Sequence, residues 1–143
     1  MAVVSTLSNR FKYQLASGNI DFDADTFKLI LMNTTFAFDK DSDDNLGAVT
    51  ADQLSTGNGY TQDSATLASV SVTRDDANDK TTVTWDDYTF TASGGSIGPS
   101  GAAIIYDDTT SDDTVLGCID FGSDLTATDG LGLQIKDIVF ELS

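Results

Sequence analysis

Three stretches of this chain carry residue types that could do chemistry. "GGSIGPSG" (94–101) has the glycine density of a phosphate-cradling loop. That chemistry needs backbone N–H groups at a helix start, usually with a lysine to meet the charge. No Lys or Arg follows, the next residues "AAIIYDD" read as β, and Asp107 and Asp108 would repel a phosphate. The stretch therefore reads as a turn feeding a buried strand. "DKDSDDNLGAVT" (39–50) sets Asp39, Asp41 and Asp43 at alternate positions, as a calcium loop does. Asp44 stands where the sharp turn wants glycine, and Thr50 where a bidentate glutamate is expected. No cofactor is expected, and a weakly bound Ca2+ at Asp39, Asp41 and Asp43 is weighed against a solvated acidic loop. The aspartate pairs 75/76, 107/108 and 112/113 are weighed the same way: turn chemistry first, attraction for a divalent ion second.

The third candidate is catalysis. The chain has no histidine, so the commonest general base and most nucleophile triads are missing. Cys118 lies in an alternating strand with no histidine partner, which predicts a buried structural thiol. Two aspartates can hydrolyse a glycoside, but among so many no pair stands out. Tyr60, Trp85, Tyr88 and Tyr106 could line a sugar platform, although aromatics at strand spacing are more often core. The chain reads as a non-enzyme.

Composition narrows the class further. The 143 residues suit one domain and can bury a core without disulfides. A single cysteine excludes an internal disulfide framework. The net charge is −16, from 23 acids against 7 bases, and Glu141 is the only glutamate. Aspartate suits turns because its short carboxylate binds nearby backbone N–H groups, so the bias points to an all-β chain with acidic turns. The same charge repels phosphates, so nucleic acid is not an expected partner. No apolar run approaches the ~20 residues that span a bilayer, so no membrane is expected either. Residues 1–18 place their basic residues after the weak apolar stretch, unlike a secretory leader, which predicts folding in a cytoplasm.

The elements that must position these residues follow from periodicity. Leu7, Phe11 and Leu15 recur four apart, which predicts a short helix capped by Ser5 or Ser8 and ended by Gly18. "TFKLILM" reads as an interior strand. Residues 36–60 form a long insertion, with a short turn of helix after Thr50. Val70 and Val72 face Val83 and Trp85 across "RDDANDK", a hairpin. The inward parity then changes at Asp86-Asp87 and again near Lys136-Asp137, which predicts a turn or bulge at each. Residues 101–108 read as a central strand covered on both faces. In the next strand Ile119 and Phe121 share one face, and Leu116 and Cys118 the other. The expected fold is a jelly-roll-like β-sandwich with one short N-terminal helix: a single domain, 1–143, with a helical segment at 1–18 and the sandwich at 19–143.

"NRFKYQLASGNIDFDADTFKLILM", "TASGGSIGPSGAAIIYDDT" and "LGCIDFGSDLTATDGLGLQI" resemble, in order and over nearly the whole chain, a family of small tailed-bacteriophage virion structural proteins described as capsid decoration or cement proteins. The residues from Phe38 to Gly57 are the least family-like. The resemblance implies a protein made in the bacterial host cytoplasm that binds the major capsid protein on the outer surface of a phage head and stabilises it. An acidic exterior agrees with the outside of a DNA-filled shell. Clustering about a symmetry axis would supply avidity, so a homo-oligomer is expected, with a trimer favoured. The least acidic part, with Arg10, Phe11, Lys12 and Leu15, is the expected interface; the ordinary alternative is a helix that covers its own sandwich. The rival roles are a tail or fibre component, a calcium-dependent carbohydrate-binding module, and a small hydrolase.

Overall fold

The computed structural model describes residues 4–143. Among these residues, ten strands and two short helices make a sandwich-like, all-β body. The larger sheet has the order β1-β8-β7-β2-β3, built from Val4–Leu7, Val115–Ala127, Ile97–Asp107, Phe27–Met32 and Ala65–Thr66. Every pairing in it is antiparallel. The opposing layer holds β4 (Ser71–Asp75), β5 (Lys80–Trp85) and β10 (Ile138–Leu142) in the order β10-β5-β4, with β6 (Tyr88–Thr91) paired to β9 (Gly132–Ile135).

β7 is central because its side chains are apolar on both faces. Residues 102–107 are all buried. One face, with Ala103 and Ile105, joins Leu29, Leu31 and Ile119 against Val83, Trp85, Phe90, Ile135 and Phe140 of the other layer. The other face, with Ala102, Ile104 and Tyr106, packs with Ile30, Met32 and Cys118 under Val49, Phe36, Phe38 and Leu46. The long insertion thus roofs the outer face of the large sheet. Its helical turn starts earlier than predicted, as α2 (Leu46–Val49) followed by a 3-10 turn at Thr50–Asp52. The Asn45 side chain caps α2 by accepting from Ala48 N.

One expectation about strand phase diverges. Leu116 turns into the main core rather than sharing a face with Cys118. The β7–β8 register slips between Ile105/Gly117 and Tyr106/Val115, and one slipped residue reverses the side chain. At Asp86-Asp87 and Lys136-Asp137 the predicted breaks do occur. Trp85 pairs with Ile138 and Tyr88 with Ile135, so the two breaks lie opposite one another and both strands swap faces together.

The predicted helical segment 1–18 is shorter. Residues 1–3 lie outside the described residues, Val4–Leu7 form the edge strand β1, and helix α1 spans Asn9–Ala16. Leu7 therefore ends a strand and does not start a helix. Ser8 is the cap: its Oγ accepts from Phe11 N at 2.9 Å and donates to Val115 O at 2.5 Å. One buried hydroxyl thus starts the helix and ties it to β8. Gly18, at φ +75°, follows the C-cap Ser17. The "GGSIGPSG" stretch divides: Gly94 and Gly95 turn at positive φ, whereas Ile97–Ser100 already belong to β7.

Candidate interface

The N-terminal residues singled out for an interface separate once folded. Phe11 is fully buried, with its ring edge-on to Phe22 at 6.1 Å. That corrects its place in the expected interface, because a side chain inside the chain's own core cannot reach a partner. Leu15 packs, half-buried, against the same core. The apolar face of α1 covers its own sandwich. Gln14, also buried, donates to Thr114 Oγ1 at 3.4 Å and accepts from Asn19 at 2.8 Å. Arg10 binds Asp112 at 2.8 Å and lies over the Tyr13 ring at 5.6 Å. The face left to solvent carries Asn9, Lys12, Tyr13 and Ala16, and Tyr13 is 61% exposed.

Beside this face lies a feature with no signal in the local sequence. β1 ends one sheet and β10 ends the other, so each offers an edge with no strand partner among the described residues. Between them runs an open groove of about 610 Å3, lined by Thr6, Leu7, Lys12, Lys40, Glu141 and Leu142. Lys40 reaches it because the Lys40 carbonyl accepts from Asn9 N at 2.9 Å, which holds the insertion against the start of α1. Lys12 makes no ion pair among the described residues, and Lys40 holds Asp41 only at 3.4 Å with both side chains exposed. Glu141 is taken by Lys80 at 2.7 Å. The rim is therefore locally cationic on a strongly acidic chain.

The acidic candidates resolve into turns. Asp39 Oδ1 accepts from Asp41 N, and Asp43 Oδ2 accepts from Asp39 N. The Asp41 and Ser42 hydrogen bonds hold the Asp39 carboxyl below the usual carboxylate range. Asp41 also accepts from the Asn9 side chain. Among the described residues no three His, Cys, Asp or Glu side chains gather to hold a metal ion. Asp75 caps its hairpin turn by accepting from Asn78, and Asp112 accepts from Thr114 Oγ1 at 2.5 Å. Asp107 departs from the expected exposed loop: it is fully buried at the end of β7. Nothing in its local pattern distinguishes it from Asp108, since burial comes from the partner strands.

The other chemical candidates are core. Tyr60, Trp85 and Tyr106 are at most 6% exposed and Tyr88 is half-buried, so they form no open platform. Burial, then the charges of Asp120 and Asp43, push the Cys118 thiol up to about 12. A second hollow, about 560 Å3, opens on the roofed side of the large sheet and is bordered by Phe36, Phe38, Asp120 and Asp124. No known protein family, curated protein or solved structure matches this chain.

Proposed function

We propose that this chain is a non-catalytic structural protein of a tailed-bacteriophage particle. It binds the outer surface of the head, contacting the major capsid protein through the end where α1, β1 and β10 meet. The observation that carries the reading is the cationic groove between two sheet edges that have no strand partner among the described residues, on a chain of net charge −16. An unpaired edge offers a row of main-chain donors and acceptors to an added strand, and Lys12 and Lys40 favour a segment with carboxylates. The acidic remainder disfavours packaged nucleic acid and suits an outward face. The resemblance of three long stretches to capsid decoration proteins points the same way. Small contacts per copy gain strength when copies cluster, which favours a homo-oligomer, with a trimer the simplest closed arrangement on a three-fold axis.

The test is sedimentation with purified phage particles, separated into heads and tails. The wild-type chain should travel with heads. Lys12→Glu with Lys40→Glu should lower the bound fraction at least tenfold, whereas Lys136→Glu, away from the groove, should not. Binding to tails alone would make this a tail or fibre component and overturn the head assignment.

A further inference from the structure

We infer that Asp25 and Asp107 hold a single proton between their carboxyl groups, and that this proton fastens the turn before β2 to the end of β7. The pair would hold that proton whether or not the chain coats a particle.

The register brings the two together. Phe27 pairs with Asp107, and Asp25 stands two residues earlier, in the turn that leads into β2, so that turn lies beside the end of β7. Thr26 joins the strands on both sides: its carbonyl accepts from Asp108 N, and its N–H donates to Thr109 Oγ1, each at 2.9 Å. Asp25 is itself held in place, because its Oδ2 accepts from Asp21 N and its N–H donates to Asp21 O, each at 2.8 Å.

Asp107 is 0% exposed. Its Oδ1 accepts from Thr109 N at 2.8 Å, while its Oδ2 is buried with no donor facing it. The carboxyl that acts on it is that of Asp25, which raises the affinity of Asp107 for a proton. Two ionised carboxylates offer only acceptors, so they repel in a buried site. One proton turns the contact into an O–H···O hydrogen bond between a carboxylic acid and a carboxylate. Burial, and next Asp25, push Asp107 up to about 7 against the pull of the Thr109 and Thr110 N–H groups.

The other charged groups nearby are already engaged or point elsewhere. On β2, Lys28 binds Asp108 at 3.1 Å, on the opposite face from Asp107. On α1, Arg10 binds Asp112. Asp113 lies further round the β7–β8 turn, and Asp21 and Asp23 lie in the turn that presents Asp25, where Asp21 Oδ1 accepts from Asp23 N. No cation from these elements neutralises the pair. The β7–β8 turn also receives α1, through Arg10–Asp112 and Gln14–Thr114. The turn that starts at Asp107 therefore also carries the contacts that seat the helix.

The linkage has a definite sign. A carboxyl raised in the folded state stabilises it fully below the unfolded value, and that contribution is lost as pH rises to the folded value. Local opening of this turn should become about tenfold easier per pH unit from about 4 to about 7 and then level off.

The experiment uses chelator-treated full-length protein, with carboxyl-carbon NMR titration and hydrogen exchange corrected for intrinsic rates. In the wild type the Asp107 carboxyl signal should move with a midpoint near neutral pH. Protection of the Asp21, Thr26, Asp108 and Thr109 amides should fall with that same slope. Asp107→Asn supplies a permanent donor and should abolish the slope. An Asp107 signal that titrates in the ordinary carboxylate range, or a slope that survives in Asp107→Asn, overturns the inference. Should Asp107→Asn fail to fold, Asp25→Asn decides: a donor facing Asp107 must lower its midpoint by at least one pH unit, and an unmoved midpoint overturns the shared proton.

Discussion

The backbone N–H of Asp137 donates to Oδ1 of Asp87 at 3.0 Å, and this bond joins the two points where the β5–β6 and β9–β10 strands change face. On one side Val83 and Trp85 stand opposite Phe140 and Ile138; on the other Tyr88 and Phe90 stand opposite Ile135 and Leu133. The register is continuous across the break, so neither strand gains a residue. Asp137 accommodates the reversal at φ +51°, where aspartate is tolerated better than most residues.

Removing that acceptor tests whether the bond sets the break. Asp87→Ala should cost about 1 kcal/mol, the worth of one intramolecular hydrogen bond, and lower Tm by a few degrees. Asp137→Gly should be neutral or stabilising, because glycine adopts positive φ without strain. Urea melts of the two variants read both effects. An Asp87→Ala protein as stable as wild type would show that packing of Trp85 against Ile138 sets the break unaided.

The two breaks are readable in the sequence because parity is a local property of each strand. That they face one another is not, since it depends on pairing between residues about fifty apart. Helix α1 is visible from Phe11 and Leu15, and its cap from Ser8. Burial of Phe11 is not, because an amphipathic face is equally suited to a partner or to its own sheet. Asp107 escapes sequence reasoning for a related reason: an aspartate after an apolar run signals a turn, and only the strands on either side bury it. The groove at Lys12 and Lys40 has no sequence signal, since it forms where two distant sheet edges end.

Tyr60 replaces a strand. β3 pairs with β2 only at Lys28 and Leu29, and beyond it the Tyr60 hydroxyl accepts from Leu31 N at 3.0 Å and from Gln53 Nε2 at 2.9 Å. Tyr60→Phe keeps the ring and strands a buried N–H, which should cost about 1–3 kcal/mol. Chemical denaturation measures it. Exchange of the Leu31 amide should also accelerate more than that of Ile30.

Gly117 lets β1 dock. It pairs with Leu7, and a Cβ there would collide with the Thr6 carbonyl oxygen. Gly117→Ala should therefore push β1 off β8 and destabilise the protein by about 1–3 kcal/mol, in the range of an overpacked site. Because Thr6 and Leu7 line the groove, the same change should weaken binding to heads even where the fold survives.

Asp112 and Asp107 occupy one turn and respond to pH in opposite senses. Burial acts against Asp112, but the Thr114 hydroxyl and then the Arg10 guanidinium hold its carboxyl below the usual carboxylate range. Its contribution is thus present above the unfolded value and lost as pH falls through the folded one. With Arg10 38% exposed, the pair is worth less than about 1 kcal/mol and weakens with salt. Arg10→Met should reduce stability at pH 6 by that small amount and leave it unchanged near pH 2. A deficit that persists at pH 2 would assign the loss to packing of the Arg10 stem.

Cys118 reports unfolding because nothing about its site activates it. Its side chain is 4% exposed under the roof made by Phe36 and Phe38. With the thiol pushed up to about 12, only about one molecule in 10,000 carries the thiolate at pH 8, and the thiolate is the nucleophile. Alkylation in native buffer should be negligible over hours and complete within minutes in urea, with a midpoint matching the loss of β structure. Labelling that instead runs at the same rate without denaturant would mean that the insertion opens on its own, and would place the roof among the weakest-held parts of the fold.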